Sequence, residues 1–274
     1  MGIVILSTLA DLRTQIDALD AELLRLVDAR AALGQAIGEA KAKEAKAEEK
    51  LANAQVSLLR PDREAMLIRK LLAMPRQAAS ENVVVRIWRE LISENLRIQG
   101  AASTGGLHLN LSTSEHSKEV LVWARERFGF APSFGYVNDP TAAIQAARDV
   151  RHISVLSLDP RGGAWWARLL AEPKVRIIAA LPELSSARPH AVALASIVPE
   201  PTGDDMTFWV SDSAEHENKI VEALGQRGFA AEWLCTAQGL KLFGLIGFVQ
   251  EHDERLATKT LGSLSGIIGA APRI

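Results

Sequence analysis

An apolar seam runs along the first part of the chain. From Leu9 onward, apolar residues fall alternately three and four positions apart, as they do on one face of an α-helix. Arg30 then takes a position where the pattern requires a leucine, and the seam resumes at Leu33. An isolated cation in such a seam is costly to bury unless an anion meets it. The seam consists of Leu9, Leu12, Ile16, Leu19, Leu23, Leu26, Leu33, Ile37 and Ala40.

The same spacing predicts three helices in the first hundred residues. Ser7 or Thr8 can cap the start of the first helix, which we expect to run to about residue 57. Pro61 suits the first turn of the second helix. The third is expected over about residues 80–99, since Gly100 stands where a helix often stops. One chain cannot bury so long a seam, so the pattern favours a dimer.

After residue 106 the pattern changes. Short apolar stretches that look like strands alternate with helical stretches, which is typical of an α/β domain. The strand candidates are "GLHLNLS", "RHISVLSL", "VRIIAALP", "AVALASIV" and "MTFWVS", and the helical stretches are 115–128, 139–148 and 215–227.

Small and breaker residues mark the expected domain boundaries. "GAASTGG" has the composition of a linker, and "PEPTGDD" is a boundary candidate inside the α/β part. The expected fold is therefore an all-α helical dimer followed by an α/β domain in each chain. The divisions are a helical domain at 1–100, a linker at 101–106 and an α/β domain at 107–274, with two candidate lobes at 107–200 and 201–274.

The amino-acid composition limits the classes of partner and the compartment that we expect for the protein. The net charge of −2 gives no field that would recruit nucleic acid or an anionic membrane. The single cysteine, Cys235, excludes an intrachain disulfide and suits a reducing compartment. No stretch has the length and apolarity of a signal peptide or a membrane span, so we expect a cytoplasmic protein. The six histidines show no ligand spacing, and we expect no metal site.

The charges of the first helix have a definite geometry. Lys41 lies eleven residues after Arg30, and at ~100° per residue the two share a face within roughly 20°. Arg13 lies seventeen residues before Arg30 and is rotated roughly 100° away. If Arg13 serves the same ligand as Arg30, it does so more plausibly from a neighbouring chain.

Polar residues also extend the apolar faces of the other two helices. Arg63 and Glu64 lie one turn before the apolar face of the second helix, and Asn95 and Gln99 continue the stripe of the third. Each residue alone has a structural explanation, such as an ion pair or a surface charge. Together they fit a pocket for a small anion better than a solvated surface.

Three blocks of the sequence carry a family resemblance. "LADLRTQIDALDAELLRLVDARAALGQAIGEAK", "RPDREAML" and "IWRELISENLRIQ", in this order, resemble the all-helical (AroQ-class) chorismate mutases over roughly residues 8–100. The resemblance implies an isomerase that converts chorismate to prephenate in one pericyclic step without a cofactor. It also implies a homodimer that is intertwined through the first helix, in which each site receives one arginine from the partner chain.

The resemblance assigns roles to eight residues. The catalytic residues would be Arg30, Lys41 and Gln99, with Lys41 and Gln99 donating hydrogen bonds to the ether oxygen. Glu64 would bind the ring hydroxyl. Two features depart from the family: Arg60 stands where an acidic residue is frequent, and the stretch from Lys41 to the second helix is longer than in compact members. The substrate-binding set would be Arg13 (from the partner chain), Arg60, Arg63, Glu64 and Asn95.

The α/β part is similar only faintly to prephenate dehydratase, with an ACT-type regulatory end at 201–274. The dehydratase's Thr-Arg-Phe signature is missing, and "MTFW" in its place lacks the arginine. We therefore expect a non-catalytic domain that aids assembly or binds an aromatic amino-acid effector. Two alternatives stay open: a bifunctional mutase and dehydratase, and a non-enzymatic regulatory protein that binds an aromatic metabolite.

Overall fold

The structure is a computed structural model of the chain. It describes residues 8–48, 58–102, 105–112, 117–184, 188–257 and 261–274. The cap candidate Ser7, the end of the predicted first helix, residues 49–57, and Ser103 and Thr104 of the predicted linker lie outside the described residues.

Three helices form the N-terminal part, as the sequence predicted: α1 (Leu9–Glu48), α2 (Pro61–Leu72) and α3 (Glu81–Ala102). The start of α1 is a capping box, because the Thr8 backbone N–H donates to Asp11 Oδ2 (2.9 Å) and the Asp11 N–H donates to Thr8 Oγ1 (3.2 Å). The predicted end of α3 at Gly100 is wrong, since the helix continues to Ala102. A side chain at Gly100 would collide with the backbone of Gly105, so this glycine serves a close approach of the chain.

An α/β domain follows the helices. All five predicted strands are present, and four strands that the sequence did not predict (β2, β7, β8 and β9) join them in one mixed sheet. The strands are β1 (His108–Ser112), β2 (Ser133–Val137), β3 (His152–Ser157), β4 (Arg176–Leu181), β5 (Ala191–Ala195), β6 (Asp205–Ser211), β7 (Ala231–Ala237), β8 (Leu240–Ile246) and β9 (Ser265–Pro272). The helices are α4 (Ser117–Phe128), α5 (Pro140–Ala146) and α6 (Glu217–Gly225), with short 3₁₀ helices at Pro160–Gly162, Trp165–Ala171 and Glu254–Leu256.

The sheet has the order β2-β1-β3-β5-β4-β9-β6-β8-β7. Strand β1 pairs in parallel with β2 and β3, whereas β5 runs antiparallel to β3 and β4. The later strands β6 to β9 pair antiparallel with one another, and they join the first five where Ile177 of β4 lies beside Gly269 of β9. Any side chain at Gly269 would overlap the backbone of Ile177. The proposed lobes thus share one sheet, and their boundaries stay a prediction.

The helical part has a small core of its own. Ile68 of α2 packs with Val85 and Ile92 of α3, and Ile274, just beyond β9, packs against the same cluster. The larger apolar clusters lie around the sheet. The core of the helices is therefore completed by the α/β domain.

The predicted seam of α1 is uncovered in the single chain. Leu19 is 63% exposed and Leu33 is 67% exposed, although burying such side chains would contribute about 1.5–3 kcal/mol each. The exposed large apolar residues of α1 are Leu9, Leu12, Ile16, Leu19, Leu23, Leu24, Leu26, Val27, Leu33 and Ile37.

Candidate functional site

A glycine-lined face of α1 packs against α3. Gly34 and Gly38 are buried, and a Cβ atom at Gly34 would lie 2.9 Å from Oδ1 of Asn95. At Gly38 it would lie 3.1 Å from Cα of Gln99. Interior glycines cost about 1 kcal/mol of helix propensity relative to alanine, so their benefit here is the close approach of the two helices.

Arg30 lies at the border between this glycine-lined face and the exposed seam. Its Nη1 donates a hydrogen bond of 2.7 Å to the backbone oxygen of Leu91 on α3. The side chain is half-buried, and this burial lowers the pKa of the guanidinium. Arg30 is thus aimed at α3 and is not part of the apolar surface formed by Leu33 and Ile37.

Lys41 lies three turns farther along the same face. Its Nζ donates to Oε1 of Gln99 at 3.1 Å, and the side chain of Gln99 is buried. Burial lowers the pKa of Lys41, and the positive charges of Arg63 and Arg60 lower it further. The described residues supply no ion pair to Arg30 or Lys41.

The remaining predicted residues on α2 and α3 fall into two groups. Asn95 lies against Gly34, one turn of α1 after Arg30, while Arg63 is exposed and close enough to act on Lys41. The guanidinium of Arg60 donates two hydrogen bonds, of 3.0 and 2.8 Å, to the carboxylate of Asp62. It also approaches Glu200 of the α/β domain at 3.5 Å.

Glu64 lies elsewhere, in a buried cluster of four charges. Its Oε2 accepts hydrogen bonds from Nη1 of Arg89 (2.9 Å) and Nη1 of Arg127 (2.8 Å). Glu183 contacts both arginines, at 2.8 Å from Nε of Arg89 and 3.2 Å from Nε of Arg127. The structure thus separates Glu64 from the face that carries Arg30 and Lys41, and its predicted hydroxyl-binding role stays a prediction.

Arg13 is not brought to this face within one chain. It is exposed on α1, seventeen residues before Arg30, which corresponds to about 26 Å of helix. A contribution from Arg13 to the site would therefore have to come from a second chain.

Sequence reasoning missed the glycine pair and three members of the charge cluster. Gly34 and Gly38 did carry a signal, because they lie on the face of Arg30 and Lys41 inside a helix that otherwise avoids glycine. Arg89, Arg127 and Glu183 carried none, since Arg127 is 63 residues from Glu64 and lies on another domain.

The α1–α3 face brings two half-buried cations to neutral oxygen acceptors. A cation that is desolvated and lacks an anionic partner attracts an anion strongly. This arrangement suits a small, doubly charged ligand whose polar centre lies near Lys41 and Gln99.

The comparison with known families decides what this face belongs to. Residues 12–100 match the family model described as chorismate mutase type II. Residues 12–100 form a type II chorismate mutase domain. The resemblance that the sequence showed is thereby confirmed for this segment, as is the expected order of a helical domain followed by an α/β domain.

A curated relative matches 87 residues of the chain. The bifunctional chorismate mutase/prephenate dehydratase of Neisseria gonorrhoeae is 33% identical over 87 residues, which are 32% of this chain and 21% of that protein. The chain thus aligns with about a fifth of the relative's length. A solved structure described as "GqqA- a novel type of quorum quenching acylases" has a TM-score of 0.39 and 15% identity, covering 61% of this chain and 95% of that one. At that TM-score the likeness carries no argument.

Outside the mutase domain, the α/β domain contains a cavity of about 860 Å³. Trp123 of α4 stacks on His190 at 5.6 Å between ring centroids, and the guanidinium of Arg188 lies 4.9 Å from the ring centroid of Trp233 on β7. Cys235 also lines this cavity, and burial raises the pKa of its thiol to about 12, so it stays protonated.

Among the residues that the structure describes, no group of three His, Cys, Asp or Glu side chains is arranged to hold a metal ion. No described helix is long and apolar enough to cross a membrane.

Proposed function

We propose that the chain is a chorismate mutase that converts chorismate to prephenate in aromatic amino-acid biosynthesis. The observation that carries this proposal is the alignment of Arg30, Lys41 and Gln99 along the α1–α3 contact of a type II chorismate mutase domain. Each of the three side chains is at least half-buried, and the two cations hydrogen-bond neutral oxygens.

The reaction needs positioning and charge stabilisation more than it needs a nucleophile. Holding the dianion in its compact conformer removes an entropic barrier, and Arg30 and Arg13 of a second chain would bind its carboxylates. Negative charge grows on the ether oxygen as its bond to the ring breaks. The ammonium of Lys41 and the amide of Gln99 would stabilise that charge, which develops only in the transition state.

We also propose that two chains form the active unit. The exposed seam of α1 supports this, since monomeric proteins rarely expose contiguous apolar surface of this length. An antiparallel α1 from a second chain would cover the seam and bring its Arg13 toward Arg30. Replacing Leu19 and Leu23 together by Gln is expected to yield a monomer in analytical ultracentrifugation and to abolish turnover. A monomeric wild type that is fully active would contradict the dimeric site.

The test of the reaction is direct. Purified protein is incubated with chorismate, and the loss of chorismate and appearance of prephenate and phenylpyruvate are followed. We expect prephenate from the wild type and from Arg25→Ala, an exposed α1 arginine that pairs with Glu22. Arg30→Ala should lose at least about 100-fold in kcat/KM, since a buried charge-assisted contact is removed. Equal turnover by both variants would reject the assignment, and phenylpyruvate as the product would favour the bifunctional alternative.

For the α/β domain we propose the binding of an aromatic amino-acid effector in its cavity. The stacked Trp123 and His190 offer aromatic faces, and Arg188, which has no ion pair among the described residues, offers a cation for a carboxylate. Titration with L-phenylalanine and L-tyrosine should change tryptophan fluorescence, and Arg188→Ala should weaken binding at least about tenfold. Unchanged binding in that variant would place the effector elsewhere, and no fluorescence response to either would exclude these effectors from the cavity.

A further inference from the structure

A second cavity, of about 530 Å³, lies where α3 of the mutase domain meets α4 and β2 of the α/β domain. It shares no lining residue with the cavity that contains Trp123, and its volume is in the range of small-molecule sites. Phe130 is 73% exposed, so part of its apolar wall faces solvent. We call it the α3–α4 cavity, and its apolar lining residues are Leu121, Val122, Phe130 and Phe134.

Arg125 of α4 supplies a cation to the α3–α4 cavity. Its Nη1 donates to the backbone oxygens of Pro132 (2.8 Å), Gly129 (3.2 Å) and Phe130 (3.3 Å). Its guanidinium carbon lies 5.2 Å from the ring centroid of Phe130 and 4.8 Å from that of Phe134. These contacts fix the guanidinium, while its Nε and Nη2 donate to no described residue. A guanidinium held in this way can offer both groups to a carboxylate.

The other charged residues that line the cavity differ in their pairing. Arg86 pairs with Glu126 at 2.6 Å, and Arg89 is neutralised in the buried cluster described above. Arg125 and Glu90 remain, and neither has an ion pair with a described residue. Burial lowers the pKa of Arg125, and the nearby charge of Glu90 opposes that shift. The cavity therefore presents one cation and one anion that are close together and not paired.

Glu90 of α3 is held in place by the loop after α4. Both of its carboxylate oxygens accept from the backbone N–H of Phe130, at 3.1 Å each. A carboxylate has about four acceptor positions, so Glu90 keeps the capacity to bind a further donor. Because the partner that it has is neutral, its negative charge is still available to a cationic group of a ligand.

We propose that the α3–α4 cavity binds an apolar α-amino acid. The carboxylate of the ligand would meet Arg125, its ammonium group would meet Glu90, and its side chain would lie against Leu121 and Val122. A ligand that carried only one of these charges would face a repelling charge in the cavity, whereas the zwitterion complements both. This site is additional to the effector cavity proposed above and does not depend on the turnover of chorismate.

Isothermal titration calorimetry of the full chain tests the ligand class. L-leucine is the first probe, since it has no ring to stack on Trp123 in the other cavity. It should bind at least about tenfold more tightly than 4-methylpentanoate, which lacks the ammonium group, or 3-methylbutylamine, which lacks the carboxylate. L-phenylalanine should also bind when it is titrated into Arg188→Ala, in which the other cavity contributes little.

Two variants test the residues. Arg125→Gln should weaken leucine binding at least about tenfold. Glu90→Gln keeps an oxygen for the backbone N–H of Phe130 and should weaken leucine binding about threefold, because Glu90 is exposed, while 4-methylpentanoate should bind at least as tightly as before. Glu94→Gln, on the next turn of α3, removes an acid that pairs with Arg97 and is the matched control. Circular dichroism establishes which variants fold, and if Arg125→Gln does not, the ligands and Glu90→Gln decide.

Several results would overturn the proposal. Neither amino acid might give saturable binding, or leucine and 4-methylpentanoate might bind equally well. A folded Arg125→Gln or Glu90→Gln variant that binds leucine like the wild type would place the ligand elsewhere. None of these results bears on the conversion of chorismate, so a failure here is distinguishable from a failure of the proposed function.

Discussion

The molecule buries charge in two contrasting ways. On the α1–α3 face, Arg30 and Lys41 are half-buried and hydrogen-bond neutral oxygens. In the cluster around Glu64, two arginines and two glutamates are almost fully buried and neutralise one another. The first arrangement is incomplete without an anion, whereas the second is satisfied by the protein itself. The burial of a charged side chain therefore does not by itself indicate a ligand site. A buried cation that has no anionic partner in the protein does.

The largest expected effect is a difference in stability between the two regions. Arg127→Met leaves an uncompensated carboxylate in the buried cluster, and such a loss typically costs about 3–5 kcal/mol. Arg30→Leu removes a cation whose pKa is already lowered by burial, so the free energy of unfolding should stay within about 1 kcal/mol of the wild type or rise. Urea unfolding of both variants measures this, and equal destabilisation would erase the contrast.

A smaller effect is expected from Gly38→Ala. The added methyl group would lie 3.1 Å from the Cα atom of Gln99, so α3 must move by a few tenths of an ångström and the bond from Lys41 lengthens. Turnover of chorismate should fall severalfold, while the gain of about 1 kcal/mol in helix propensity offsets much of the steric cost in stability. A methyl group at exposed Gly225, which meets no atom within 4 Å, is the matched control. Unchanged turnover in Gly38→Ala would mean that the close approach has no part in catalysis.

The smallest effect is a shift in the pH profile. Burial and the charges of Arg63 and Arg60 lower the pKa of Lys41, so the folded enzyme should lose the active ammonium form at a lower pH than an ordinary lysine would. Arg60→Gln removes one of these charges and should raise the pKa of Lys41, which moves the alkaline limb of kcat to higher pH. Arg60→Lys keeps the charge and should leave the limb where it is in the wild type. A limb that moves equally in both variants would show that Lys41 does not control it.

The sequence could predict those structural elements that are determined by residues close together along the chain. The Thr8–Asp11 capping box, Pro61 at the start of α2 and the five apolar strands follow from residues that are neighbours along the chain. Strands β8 and β9 are interrupted by glycines, and exposed residues dominate β2, so none of them has the apolar pattern of a buried strand.

The candidate site divides in the same way. Helical periodicity placed Arg30 and Lys41 on one face, and Asn95 and Gln99 on the facing helix, where the structure has them. The surroundings of Glu64 could not be predicted, because the other members of its cluster come from α3, α4 and the loop after β4. Only the tertiary fold brings these segments together, so the spacing of residues within α2 does not indicate which side chains surround Glu64.

If the cations of α1 that lack an ion pair form a mutase site, the replacement of Lys41 by Met should impair the reaction itself. This variant keeps the length of the side chain and removes the charge that faces the developing negative charge on the ether oxygen. In Lys41→Met, kcat for the conversion of chorismate to prephenate should fall by on the order of 10²–10³, with a much smaller change in KM and no loss of stability. Turnover at the wild-type rate in Lys41→Met would contradict it.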